Sequence, residues 1–434
     1  MLSAATATPI TDEITRIAHP VAGPDDLGRL LDLAADKRCV MIGEASHGTH
    51  EYYRWRAQLS RRLIEEHGFG FVAVEGDWPD IHRLNRYVDG GEGESAATVL
   101  HRNRRWPTWM WANWEVAAFG EWLRYHNGAS RGAPTSIYGL DVYSLWESLA
   151  AVHDYLEEHA PGSVEAAERA FRCFEPYRED GQLYGYATAL TPSDCEEEVV
   201  SLLAETRRLN GHEGGSVERF AAQQNALVAR NAERYYRAML RGSAESWNVR
   251  DRHMMETLGH LFDHHGPGSK GIVWEHNTHV GDARYTDMSA SGMINVGQLS
   301  RERFGGDALL VGFGSYEGTV IAGRDWDAPM ETMRVPPAQP ASWEAELHGA
   351  GAENRLLISA DAAGREGFSE WQGHRAIGVV YRPEAERLGN YVPTMLPQRY
   401  DAFIYIDRTE ALHPLHAEVE EGRAPDMWPW EPRT

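Results

Sequence analysis

The sequence predicts an α/β protein: a mostly parallel central sheet flanked by helices, with a largely helical insertion over an active-site cleft. Three observations predict it. Short apolar runs at Val40-Met41-Ile42, Gly70–Val74 and Ser136–Leu140 are separated by stretches of helical periodicity. Each run ends close to an acid, namely Glu44, Glu75 and Asp141. Strand signals then vanish for more than a hundred residues and resume at Gly271-Ile272-Val273-Trp274. The chain therefore divides into residues 1–144 (the first part of the α/β core), 145–268 (the insertion) and 269–434 (the second part of the core).

In chain order, residues 11–18 and 25–35 read as short helices, the second with Leu27, Leu30, Leu31 and Leu33 as its apolar stripe. The first strand follows and breaks at Gly43. From His50 an amphipathic helix runs to about His67, with Leu59, Leu63 and Ile64 at helical spacing. The second strand leads into Glu75-Gly76-Asp77-Trp78-Pro79-Asp80, helical material runs on to about Asn127, and the third strand closes at Asp141. Strands separated by helices lie parallel, which lines the three carboxylates along one sheet edge.

Within the insertion, breaks are expected near Pro161-Gly162, Gly181–Tyr186, Gly211–Gly215 and Gly242-Ser243. Thr191-Pro192-Ser193-Asp194 reads as a capped helix start, and Glu196-Glu197-Glu198 as a solvated face. Further strands are expected at Ala308–Val311, Ala376–Tyr381 and Ala402–Ile406, and a Pro-rich extended tail at Pro425–Trp430.

Composition excludes several classes. A formal charge of −23 opposes binding to a phosphate backbone, so no nucleic-acid partner is expected. No apolar run approaches the ~20 residues that span a bilayer, and the N-terminus lacks a signal-peptide pattern. Cys39, Cys173 and Cys195 are scattered, which argues against a disulfide framework and for a reducing cytoplasm. Arg dominates the cations, with Lys only at 37 and 270, so a single Arg carries little weight.

The chemistry-bearing residues cluster at strand ends. Glu44 beside His47 supplies a carboxylate that fixes an imidazole tautomer and stabilises it as it takes a proton, the arrangement of a general base near neutral pH. The competing reading is a turn histidine satisfied by local backbone; Glu75 at the next strand end weakens it, because paired buried carboxylates perturb each other. His276 and His279 end the strand at residues 271–274, and both His47/His50 and His276/His279 have His-x-x-His spacing. With a carboxylate, His276 and His279 make a zinc site the alternative to metal-free hydrolysis. Cysteine ligands and a His-Glu-x-x-His motif are missing, so no metal or other cofactor is expected.

A serine nucleophile is disfavoured, since Gly43-Glu44-Ala45-Ser46-His47-Gly48 lacks the Gly-x-Ser-x-Gly spacing. Gly312-Phe313-Gly314-Ser315-Tyr316-Glu317-Gly318 is a poor dinucleotide loop, because Tyr316 and Glu317 would obstruct a pyrophosphate. Arg56, Arg250 and Arg252 are candidates for an oxyanion or carboxylate, though surface cations are the commoner case. Trp106, Trp109, Trp111 and Trp114 are either helix-packing core or the wall of an apolar ligand site.

Gly43-Glu44-Ala45-Ser46-His47-Gly48, Arg56, Val74-Glu75-Gly76-Asp77 and Trp274-Glu275-His276-Asn277-Thr278-His279 together resemble the erythromycin esterase family. Gly139-Leu140-Asp141, Asn248-Val249-Arg250-Asp251 and Tyr400-Asp401-Ala402-Phe403-Ile404 extend the resemblance over roughly residues 30 to 415. It implies a metal-sparing hydrolase that opens the macrolactone of erythromycin-type antibiotics, with an α/β core and a helical portion over a deep cleft. His47 then resembles the general base, Glu44 and Glu75 its supporting carboxylates, and His276 the second active-site histidine. Arg56 and Arg250 resemble the cleft arginines, although the second match fits Arg252 as well. His279, Asp141, Trp109 and Tyr316 are expected at a small-molecule ester substrate. A cleft that binds or processes a natural-product or envelope intermediate without hydrolysis is the reading from another class.

Overall fold

The computed structural model describes residues 10–91, 95–130, 132–177, 180–191, 194–209, 216–240 and 242–416. Eleven strands occur among them: β1 (His19–Pro20), β2 (Cys39–Ile42), β3 (Phe71–Asp77), β4 (Ser136–Asp141), β5 (Gly271–Trp274), β6 (Ala308–Gly323), β7 (Met330–Val335), β8 (Arg355–Ile358), β9 (Gln372–Arg375), β10 (Tyr391–Thr394) and β11 (Ala402–Thr409). Nine form one sheet in the order β1-β8-β11-β6-β2-β5-β3-β4, with β7 paired to β6; β9 and β10 pair separately. From β11 to β4 every neighbour is parallel; the antiparallel pairs β1–β8 and β8–β11 sit at one edge, and β7 runs antiparallel to the far part of β6, Gly318–Gly323.

Although β2 and β3 follow each other in sequence, they do not touch. β5 lies between them, with Gly271 in register with both Cys39 and Phe71. The four strand ends that carry Glu44, His276, Glu75 and Asp141 therefore stand side by side.

Side-chain alternation explains why these strands are apolar throughout. Val40, Ile42, Val72, Val74, Ile272 and Trp274 face helices His50–His67, Trp78–Val88 and Trp114–Ala129. Cys39, Met41, Phe71, Ala73 and Val273 face the opposite layer, where helix Ser243–His265 contributes Met254, Leu258, Leu261 and Phe262. A parallel sheet covered on both faces has no solvent-facing positions to reserve for polar residues. Helix His50–His67 has the expected bounds and stops at Gly68, whose φ of 70° is the left-handed cap that glycine adopts without strain.

Among the described residues between 145 and 265 the elements are all helical. Helices Leu145–His159, Val164–Phe174, Gly181–Leu190, Glu196–Arg208 and Ser216–Ala238 share a core of their own around Leu149, Val152, Leu156, Leu202 and Leu227. Helix Ser243–His265 instead packs on the sheet.

Several expectations are corrected. Gly181–Tyr186 is not a break: it opens a helix whose first N–H groups, on Gln182 and Leu183, donate to the Asp180 carboxylate. The helix expected to start at Thr191–Asp194 begins at Glu196; Pro192 and Ser193, the break at Gly211–Gly215 and the tail Pro425–Trp430 lie outside the described residues. Ala376–Tyr381 is not a strand, because Gly378 interrupts it and its pairing is limited to single bridges, Ser46 with Ile377 and Gly323 with Val380. Cys173 and Cys195 are bonded to each other, since their helices bring the Cα atoms to 5.9 Å. The cysteine argument for a reducing compartment falls with that. Among the described residues no helix is long and apolar enough to cross a membrane.

Candidate active site

The turn after β2 is held by close backbone packing. A Cβ on Gly43 would stand 2.1 Å from Asn277 Oδ1, and one on Gly48 1.9 Å from the Ile321 carbonyl, so neither position admits a side chain without displacing its neighbour. The Gly43 N–H donates to the Val311 carbonyl and the Asn277 N–H to the Glu44 carbonyl, both at 2.8 Å, which ties this turn to β6 and to the end of β5. The four residues between the glycines are thereby aimed at the β5 and β3 ends.

Glu44 is fully buried. Its Oε1 accepts His47 Nδ1–H at 2.8 Å, and Arg56 Nη2 pairs with Oε2 at 2.8 Å. With Nδ1 protonated, His47 Nε2 keeps its lone pair, facing a cavity of about 450 Å³. Glu75 Oε1 lies 3.9 Å from that nitrogen. His276 lines the same cavity, with its ring centroid 4.9 Å from that of His47. Burial and the adjacent His47 push the His276 pKa well below the ordinary imidazole value, so the ring is neutral. Its Nδ1 accepts the Thr278 N–H as the cap of helix Asn277–Val280, which leaves the proton on Nε2. That Nε2–H has no partner among the described residues. A bare base nitrogen and an unused donor thus share one buried space.

Glu75 organises the floor. Its Oε2 accepts the His276 backbone N–H at 2.7 Å, and Arg250 Nη2 donates to Oε1 at 2.7 Å. Burial opposes its charge, yet His279, Arg250 and His47 hold the carboxyl well below the usual range. Arg250 also grips Asp141 through Nε at 2.9 Å and Nη2 at 2.6 Å, a two-pronged contact that fixes its plane. His279 stands between Asp251 at 2.9 Å and Glu75 at 3.4 Å. Arg250 Nη1, 3.0 Å from its Nε2, favours a neutral ring, and burial does too. The two carboxylates outweigh both and push its pKa up to about 10.

His47, Glu75, His276, His279, Asp141 and Arg250 all line the cavity. Glu44 and Arg56 sit behind it: Arg56 is fully buried under the rings of Tyr53 and Trp274 and supports Glu44 rather than facing a ligand. Arg250, not Arg252, is the inward arginine; Arg252 is exposed. Two expectations are corrected. Trp109 is core, packed edge-on against Trp106 and away from the cavity lining, because the turn Thr108–Met110 rotates it inward. Tyr316 lies over His348, centroids 3.6 Å apart, on the far part of β6.

Trp106 and Trp111, two of the four tryptophans weighed as core or ligand-site wall, line the cavity, whereas sequence reasoning missed Trp247, Trp326, Tyr143 and Arg105 on the same outer wall. Trp247 stacks flat on His279 at 4.5 Å, and its place just before Asn248–Asp251 was its only signal. Asp77, paired to Arg105 Nε at 2.7 Å, is pushed by burial up to about 7 despite that cation. As for metal ligation, His276 and His279 do not converge with a carboxylate among the described residues; the ligand atoms of His50, Glu115 and His413 do, as do those of His153, Asp154 and Glu157.

Comparison with known proteins gives one family. The erythromycin esterase family model matches residues 64–409. The chain is 22% identical over 372 residues to an erythromycin esterase type II of Escherichia coli, covering 79% of this chain and 85% of that one. It is 21% identical over 419 residues to the putative hydrolase YbfO of Bacillus subtilis (strain 168), covering 91% and 90%. A Bacillus cereus protein of known crystal structure superimposes with a TM-score of 0.78 at 19% identity, over 93% of this chain and 98% of that one, a likeness of fold.

Proposed function

The chain belongs to the erythromycin esterase family, which supports a hydrolase or esterase-like function, and from that premise we propose that it cleaves a carboxylic ester or macrolactone with a water activated by His47. The observation that carries this reading is the tautomer pair: Nδ1–H of His47 on Glu44, with Nε2 bare toward the cavity, beside a neutral His276 whose Nε2–H is unused.

In this mechanism His47 Nε2 takes a proton from water as the oxygen attacks the ester carbonyl carbon. Glu44 stabilises the imidazolium that forms, and Arg56 holds Glu44 in place. The carbonyl oxygen gains negative charge and accepts the His276 Nε2–H. The tetrahedral intermediate then collapses: the C–O bond to the alcohol breaks, and the departing alkoxide takes the proton from His47. The products are a carboxylic acid and an alcohol, joined in one molecule if the substrate is a lactone. Glu75, Arg250, Asp141 and His279 hold the two histidines in register.

The outer wall supports a bulky, largely apolar small-molecule substrate, since Trp106, Trp111, Trp247, Trp326 and Met110 surround the catalytic floor. The cavity falls within the roughly 300–1,000 Å³ usual for such ligands.

The test is incubation with a panel of macrolides and simpler esters, read by mass spectrometry for the addition of one water. His47→Ala, checked for an intact fold by circular dichroism, is expected to lower turnover roughly 10²–10⁴-fold. Near-normal turnover in that variant, or no hydrolysis of any ester by the parent protein, refutes the proposal.

A further inference from the structure

The two histidines of the first His-x-x-His pair part company. His47 faces the cavity, whereas His50, the first residue of helix His50–His67, points elsewhere: its Nδ1 lies 2.8 Å from Glu115 Oε1. His413 Nδ1 lies 2.8 Å from the same oxygen. The two rings meet edge to face, with centroids 5.3 Å apart. Main-chain pairing fixes the three segments that carry these residues. Thr49 bridges Ala411 and Asn113 bridges Pro414, the His50 N–H donates to the Glu410 carbonyl at 2.9 Å, and the Trp114 N–H donates to the His413 carbonyl at 3.0 Å.

We propose that His50 Nδ1, His413 Nδ1 and the Glu115 carboxylate form a binding site for a zinc-class divalent transition metal, with water as the fourth ligand. This site is separate from the catalytic cavity, and none of its three residues lines that space.

The ligand atoms of all three residues lie within 4.8 Å of one another. Zinc bonds of about 2.0–2.1 Å put tetrahedral ligand atoms about 3.3 Å apart, so the 2.8 Å contacts need to open by only about 0.5 Å. Glu115 is almost fully buried, and one of its oxygens serves both histidines while Oε2, also buried, has no partner among the described residues. A carboxylate that merely received two imidazole N–H groups would leave that second oxygen desolvated for nothing. Two further acids, Glu51 and Glu410, stand on the same segments, with Glu51 Oε2 accepting the Glu410 N–H at 2.9 Å. Two imidazoles and a carboxylate select zinc, cobalt or nickel over magnesium or calcium, which prefer all-oxygen sites. His413 is about one-third exposed, which gives the ion and its water a way in.

The experiment uses the full chain stripped of metal, titrated with zinc against a chromophoric chelator, and with cobalt for its visible absorption. One equivalent is expected to bind, the ring proton of each neutral imidazole moving to Nε2, and more weakly at lower pH because a fully protonated imidazolium cannot ligate. Glu115→Gln and His413→Gln should each weaken it at least about tenfold, while His276→Ala, in the catalytic cavity, should leave it unchanged. Zinc should raise the melting temperature of the parent and of H276A but not of E115Q. His413 is partly exposed, so H413Q tests the ligand set even if E115Q fails to fold. Absence of stoichiometric binding, equal affinity in H413Q, or loss of binding in H276A would each overturn the proposal.

Discussion

Glutamine at position 44 keeps the shape of the side chain and removes its charge, so Glu44→Gln separates two consequences of one buried contact. The carboxylate is fully buried between His47 Nδ1 and Arg56 Nη2, each 2.8 Å away. Hydrogen bonds to charged groups contribute about 1.5–3 kcal/mol, and here the charge matters most as His47 becomes a cation, so turnover should fall roughly 10- to 150-fold. Stability responds to a different partner. Arg56 loses its counter-ion in a site with no solvent, which costs about 3–5 kcal/mol. Adding Arg56→Met removes the stranded cation, so the double variant E44Q/R56M should regain most of the stability and none of the rate. Urea unfolding reads the first quantity and ester turnover the second, while nitrogen NMR of the His47 ring reports whether the proton stays on Nδ1. Recovery of turnover together with stability in the double variant would refute the positioning role. So would a single variant with unchanged rate and tautomer.

Two further outcomes are expected. His279 is raised to about 10 in the folded chain from about 6.5 unfolded, so its stabilisation is complete below about pH 6.5 and is lost as pH rises through about 10. Urea unfolding of the parent and His279→Gln near pH 6, 8 and 10 should show their difference shrinking with pH, and a growing difference would contradict the charged assignment. Cys173→Ser should destabilise the helical portion by about 3 kcal/mol, since the bond it removes spans 22 residues of chain; unfolding midpoints unaffected by the substitution and by reductant would count against that bond.

What was legible in the sequence was local. The β2 run, its Gly43 break and the helix to His67 are set by apolar spacing and caps that lie within a few residues of one another. The acids and imidazoles at strand ends were visible because a parallel sheet aligns such ends. Strand order was not visible, because nothing near residue 271 states that β5 inserts between β2 and β3. The same limit explains the tryptophans. Trp106, Trp109 and Trp111 look equivalent in sequence, and only the turn at Thr108–Met110 decides that Trp109 enters the core while its neighbours face the cavity. Arg56 looked like a ligand-facing cation because helical spacing gives its distance from His47 but not its depth. Cys173 and Cys195 meet because two helices pack together, which no spacing rule encodes.

The position of β5 has a consequence for how this protein comes into being. As the nascent chain leaves the ribosome, the pocket's first imidazole appears early and the second only after the whole helical portion has been made. Until then the gap in the sheet is open, and two strand edges wait for a late arrival. A polypeptide severed within the helical portion would yield two inert pieces, and any activity regained on mixing them would measure how well the late strand finds its slot without a tether.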